Sequence, residues 1–302
     1  MEALISFLFF FPGMLLNSGQ PDKNIAKPVI TINYNLSNPD KIYVLPNALK
    51  EISGLTALDA SSVACIQDEK GILYIYDLLE ERIKIQYNFY ASGDYEGIAK
   101  VDKTVYVLRS DGTLFGITNF ETANFTVSTY LTGIPGKDNE GLCFDPKVNR
   151  LLIAPKFASV KESENKDKRY IFSFDLKSKK LSGVPLYVFD LSVIRDFAMD
   201  NKIKVPMKNG KKGHKNIPDI EFRPSAIGIH PFTNKLFVLS GMEHILFVFN
   251  TNGNIEYIEK LDPGLFIQPE GITFLRNGDM LISNEGQDKK ATIVRFNYIK
   301  NR

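Results

Sequence analysis

Residues 139–151 read Asn139-Glu140-Gly141-Leu142-Cys143-Phe144-Asp145-Pro146-Lys147-Val148-Asn149-Arg150-Leu151. A carboxylate, a glycine and a branched aliphatic lead into an apolar run that stops at Asp-Pro and resumes after Asn149-Arg150. Proline presets φ and asparagine tolerates positive φ, so the step reads as a tight turn between antiparallel strands. The opening triplet recurs as Ser53-Gly54-Leu55, Glu96-Gly97-Ile98, Ser225-Ala226-Ile227 and Glu270-Gly271-Ile272. Its small residues are spaced by 43, 44, 85 and 45 positions. Three of these intervals match the roughly 40–45 residues of a four-stranded propeller blade.

Each copy keeps one strand order. Second strands read Val105–Leu108, Leu151–Ile153, Leu236–Leu239 and Met280–Ile282. Third strands alternate aromatic and aliphatic residues, as in Ile72–Tyr76, Tyr170–Phe174, Ile245–Phe249 and Ile293–Phe296. Fourth strands, Ile83–Tyr87 and Ile255–Ile258, are more polar, as an outer edge requires. The last copy lacks a fourth strand, and Lys41–Leu45 stands spare ahead of the first. Joining the two closes the ring and removes open sheet edges. The 85-residue interval holds one set of strands, with Leu186–Phe189 as its fourth, and two polar stretches, Glu162–Arg169 and the lysine-rich Asp200–Asp219. The expectation is an all-β, five-bladed β-propeller over residues 28–302 with one enlarged blade; six blades is the alternative. Helical periodicity is scarce.

Composition bounds the function. The 302 residues carry a net charge of +2, too mild for a nucleic-acid surface. Cys65 and Cys143 lie inside apolar runs and read as small buried hydrophobes, not as a disulfide framework. Only His214, His230 and His244 are present, which argues against a histidine zinc site, and no nucleophile elbow or phosphate loop occurs. Residues 1–20 form a separate segment. Ala3–Leu16 is an apolar run too short to span a bilayer but suited to the core of a signal peptide, although Glu2 stands where a basic residue is expected. Export, or membrane association through the N-terminus, is the expectation; a hydrophobic N-terminal strand is the alternative. The lysine-rich stretch reads as a solvated insertion, with an anionic ligand or lipid surface as the alternative.

The first strand of each blade lines a propeller's axis, so Ser53, Glu96, Glu140, Ser225 and Glu270 converge there. Two carboxylates about 6 Å apart repel by roughly 3 kcal/mol at an effective dielectric of ~20. Three need an offset. A hard divalent cation supplies one, and carboxylate, hydroxyl and water oxygens are what Ca²⁺ prefers. Protonation, or an inward Arg109 or Lys156, would also serve. The purely structural reading has each glutamate capping backbone N–H groups. Glu285, at the end of a second strand near the channel mouth, is either an outer donor to the cation or part of a turn.

The ordered series Ser53-Gly54-Leu55, Tyr95-Glu96-Gly97-Ile98, Asn139-Glu140-Gly141-Leu142, Ser225-Ala226-Ile227 and Pro269-Glu270-Gly271-Ile272 resembles the SdiA-regulated (YjiK-like) family of NHL-related propellers, over roughly Lys41 to Tyr298. The resemblance implies a five-bladed propeller of the bacterial envelope, in the periplasm or attached to the membrane, that binds calcium at the motif positions and has no established enzyme activity. Ala226 departs from the family glycine, and no lipid-attachment cysteine follows the apolar run. Two functions follow as expectations. One is a non-catalytic module that binds a protein or small-molecule partner on a propeller face. The other is a metal-dependent hydrolase or lactonase with its cation in the central channel.

Overall fold

The motif triplets open the innermost strands of five small antiparallel sheets set in a ring. The computed structural model describes residues 32–157, 167–209 and 216–300; the apolar run Ala3–Leu16 lies outside them. Blade 1 comprises Ile52–Ala57, Ser62–Gln67, Ile72–Asp77 and Arg82–Asn88. Blade 2 comprises Tyr95–Val101, Thr104–Arg109, Thr113–Thr118 and Thr126–Leu131. Blade 4 comprises Ala226–Ile229, Leu236–Ser240, Ile245–Phe249 and Ile255–Lys260. The chain is a five-bladed β-propeller. Asn149 (φ 52°), Asn234 (φ 55°) and Gly278 (φ 91°) occupy left-handed positions in the turns after the motif strands, where asparagine and glycine cost least.

Blade 5 contains Pro269–Phe274, Met280–Asn284 and Thr292–Phe296, and its outer strand is Lys41–Val44. Lys41 faces Arg295 and Val44 faces Thr292, and the Leu45 N–H continues the ladder to the Ala291 carbonyl at 2.9 Å. The strand Lys41–Val44 thus closes the ring as expected. Tyr43 and Leu45 are buried beside Leu281 and Ile293.

Among the described residues the buried apolar side chains divide into five cores, and each lies between two neighbouring blades. Blades 1 and 2 share Ala64, Ile75, Val105 and Phe115, for example, and blades 4 and 5 share Phe237, Val248, Met280 and Phe296. This explains why second and third strands are apolar on both faces: each face packs against a different neighbour. The outer strand Arg82–Asn88 alternates exposed and half-buried residues, as a sheet edge should. Cys65 and Cys143 are free and buried.

Blade 3 departs from the expected pattern. Behind Lys137–Asp145, Arg150–Phe157 and Lys168–Asp175, the outer position is split between Lys180–Leu181 and Tyr187–Asp190, which pair with different halves of the third strand. Lys168 and Arg169 belong to that strand and not to a loop; Arg169 is buried and donates to the Phe222 carbonyl at 3.1 Å. The chain then forms a helix, Leu191–Asp200, that periodicity alone did not reveal. Asp190 caps it by accepting the Ser192 N–H at 2.8 Å, and Leu191, Ile194 and Ala198 turn inward at helical spacing. In the lysine-rich stretch Met207–Lys208 pairs with Ile217–Pro218, and Lys208 Nζ lies 2.8 Å from Asp219 and 3.0 Å from Glu221. Among the described residues no helix is long and apolar enough to cross a membrane.

Candidate functional site

In four blades the motif residue is the extra residue of a β-bulge. Ile52 pairs with Gln67 and Gly54 with Ile66, so Ser53 has no partner of its own. Glu96, Glu140 and Glu270 are skipped in the same way. A bulge frees a residue from the ladder and re-aims its side chain. Beside each bulge the motif glycine admits the next blade. A Cβ on Gly97 would stand 2.6 Å from the Leu142 Cβ, and one on Gly271 would stand 2.5 Å from the Leu55 Cδ2. At all four motif glycines the aliphatic of the next triplet packs against the glycine.

Ser53, Glu96, Glu140, Glu270 and Glu285 share one cavity of about 130 Å³, lined also by Glu51, Asp68, Lys156 and Gln268. Of the expected site residues, Ser225 is not part of this lining. Its hydroxyl donates to the Pro269 carbonyl at 2.9 Å and accepts the Gly241 N–H at 3.2 Å. Ser53 makes the corresponding bond to the Tyr95 carbonyl at 2.6 Å while still facing the cavity. Both serines thus tie their blade to the backbone of the following one. Glu285 accepts a hydrogen bond from the Gln268 amide.

Burial dominates the electrostatics. It pushes Glu96 up to about 9, helped by the nearby charges of Glu140, Asp94 and Glu270. Glu270 rises to about 8 through burial and Glu140, with Gln268 and Lys156 opposing. Glu140 rises only to about 7, because Lys156 works against its burial. The Lys156 ammonium sits 2.5 Å from the Glu140 Oε1; burial alone would lower its pKa, but the carboxylate outweighs that and raises it. Arg109 pairs instead with Asp111 at 2.7 Å. Glu140 is 5% exposed, and its Oε2 has no hydrogen-bond partner. A buried, unpartnered carboxylate oxygen is costly and calls for a proton or a ligand.

The repeat triplets do not mark Glu51, Asp68 and Gln268, which also line the cavity. A signal for two of them was present: Glu51, Asp94, Asp138 and Gln268 each stand two positions before a motif residue, forming a second polar tier. Asp94 raises Glu96 and Asp138 raises Glu140. The triplet aliphatics Leu55, Ile98, Leu142, Ile227 and Ile272 are all buried and border a second cavity of about 170 Å³, together with Thr56, Lys100, Phe144 and Thr273.

In chemistry the donors suit a hard cation: three carboxyl groups, one of them with an orphaned oxygen, and a hydroxyl. In spacing they are looser. Among the described residues, no three acidic, histidine or cysteine side chains are gathered closely enough to hold one ion directly. Part of any coordination shell then falls to water, which hard cations accept.

No protein-family model matches the chain, and no curated protein does. Among solved structures it is similar to the glutaminyl cyclase of Myxococcus xanthus, with a TM-score of 0.55 and 11% identity over 87% of this chain and 97% of that one. It is also similar to a streptogramin B lyase, with a TM-score of 0.48 and 12% identity over 85% and 97% of the two chains. A chain of a nidogen/laminin complex follows at 0.46 and 13%, over 77% and 72%. At 11% identity the likeness to the cyclase carries the fold and nothing of activity.

Proposed function

We propose that this propeller is a non-catalytic, calcium-binding module of the bacterial cell envelope, with a propeller face left for a protein or small-molecule partner. The observation that carries the reading is the buried, unpartnered Oε2 of Glu140 facing a chamber shared with Glu96 and Glu270. Those three side chains would hold the ion, with Ser53 and Glu285 completing the donor set beside water. When bound, the cation neutralises carboxylates from three blades and so links them across the axis. The SdiA-regulated resemblance of the motif series, and the apolar run Ala3–Leu16, support the family and the envelope location. Elemental analysis of purified protein, followed by equilibrium dialysis against labelled calcium, tests the reading. It requires about one ion per chain, lost on treatment with chelator; a metal-free protein that takes up no calcium contradicts it.

One observation favours a second reading. Carboxyl groups that titrate at about 7 and about 8 in a cavity are also what acid–base chemistry uses. A metal-dependent hydrolase or lactonase would place Glu140 as base. Turnover of a lactone and ester panel that Glu140→Gln abolishes would select it over the binding module.

A further inference from the structure

We infer that Lys156 sets the strength with which the axial chamber takes up a divalent cation, because its ammonium is a tethered competitor for the same carboxylates. This rests on the cation reading proposed above. Lys156 lies on the second strand of the enlarged blade, Arg150–Phe157, one residue before the strand ends. It carries the one positive charge among the described residues lining the chamber. Its Nζ holds the Glu140 Oε1 at 2.5 Å, and the charges of Glu270 and Glu96 attract it as well. A lysine that served only to cover an edge would stay in water. This side chain is 22% exposed and turned toward Glu140, in a cavity that Glu96 and Glu270 also line.

Two consequences follow from that position. The ammonium occupies oxygen lone pairs that a cation needs, and it repels a second positive charge brought into a poorly screened space. It also keeps the Glu140 carboxylate paired in the cation-free chamber. The strand thus supplies a substitute ion, always present and of lower charge than calcium. Calcium must either displace it from Glu140 or share the carboxylate with it.

The test is calorimetric titration with calcium chloride at one fixed pH of wild type, Lys156→Met, Lys156→Gln and Lys156→Arg. The folded state of each is checked by its melting curve in chelator. Methionine removes the charge from an unbranched side chain one atom shorter; glutamine removes it while keeping a polar end, and decides the matter if the methionine variant does not fold. The expected result is binding about tenfold tighter, or more, for the uncharged variants and near wild-type affinity for arginine. Equal or weaker binding by the uncharged variants, alongside measurable binding by wild type, overturns the inference and leaves the calcium reading standing. Absence of binding in all four proteins overturns the calcium reading, and the inference with it.

Discussion

The Lys156 ammonium holds one oxygen of Glu140 at 2.5 Å and leaves the other buried without a partner. Half of that carboxylate is satisfied by the fold and half is not. The remaining acid groups around the axis, Glu96 and Glu270, have no such ammonium of their own. They are driven toward their protonated forms instead.

A pH dependence with a definite sign follows. Glu96 and Glu270 titrate at about 9 and about 8 in the folded chain, above the ordinary value of 4.5. Between 4.5 and those values the folded state binds more protons than the unfolded one, so stability falls as pH rises through that window. Without calcium, the melting temperature should be higher near pH 5 than near pH 9 as far as these groups decide it. Glu96→Gln should flatten the slope, since a neutral amide needs no proton. Melting curves in chelator across this range check both; a Glu96→Gln slope equal to that of wild type contradicts the assignment.

Ring closure depends on a short strand far from the rest of its sheet in sequence. Tyr43 is 3% exposed in the core between blades 5 and 1, whereas Val44, its neighbour on the same strand, is 52% exposed. Tyr43→Ala should cost about 3–5 kcal/mol, by analogy with other buried aromatics, while Val44→Ala should stay within about 0.5 kcal/mol. Urea unfolding measures both. Equal costs would mean that the strand does not seal the ring.

The motif glycines predict a third asymmetry. A methyl group on Gly97 would lie 2.6 Å from the Leu142 Cβ and 2.7 Å from the Glu140 carbonyl oxygen. Gly97→Ala should therefore destabilise by about 1–3 kcal/mol through blade displacement. The fourth blade already carries Ala226 at this position, and Ala226→Gly should cost about 1 kcal/mol or less. A neutral Gly97→Ala in the same urea assay would show that neighbouring blades do not meet there.

Much of this is legible in the sequence. The repeat places the inner strands because each triplet sits at the same register, and the missing fourth strand of the last copy pointed to Lys41–Leu45. The serines were harder. Ser53 and Ser225 occupy glutamate positions and so read as further donors at the axis. Their bonds to the Tyr95 and Pro269 carbonyls depend on which blade follows in space, which no local pattern contains. Arg109 was lost to a partner two residues away, Asp111, a pairing that sequence proximity favours. The helix Leu191–Asp200 escaped because it is ten residues long and buries only three of them, although Asp190 before Leu191 is an ordinary helix cap.

The central claim is tested most directly by thermal melts of wild type and Glu140→Gln, each in excess calcium and in chelator. A ligand that binds only the folded state stabilises it by about 2.7 kcal/mol at 100 times its dissociation constant. For a chain of this size that is a rise of roughly 5–10 °C for wild type. Glu140→Gln should lose most of that increment, because the partnerless oxygen loses its charge, while its melting temperature in chelator falls as the Lys156 ammonium loses its carboxylate. A wild-type midpoint that does not move between calcium and chelator, in protein that carries no metal when purified, would contradict the axial cation site.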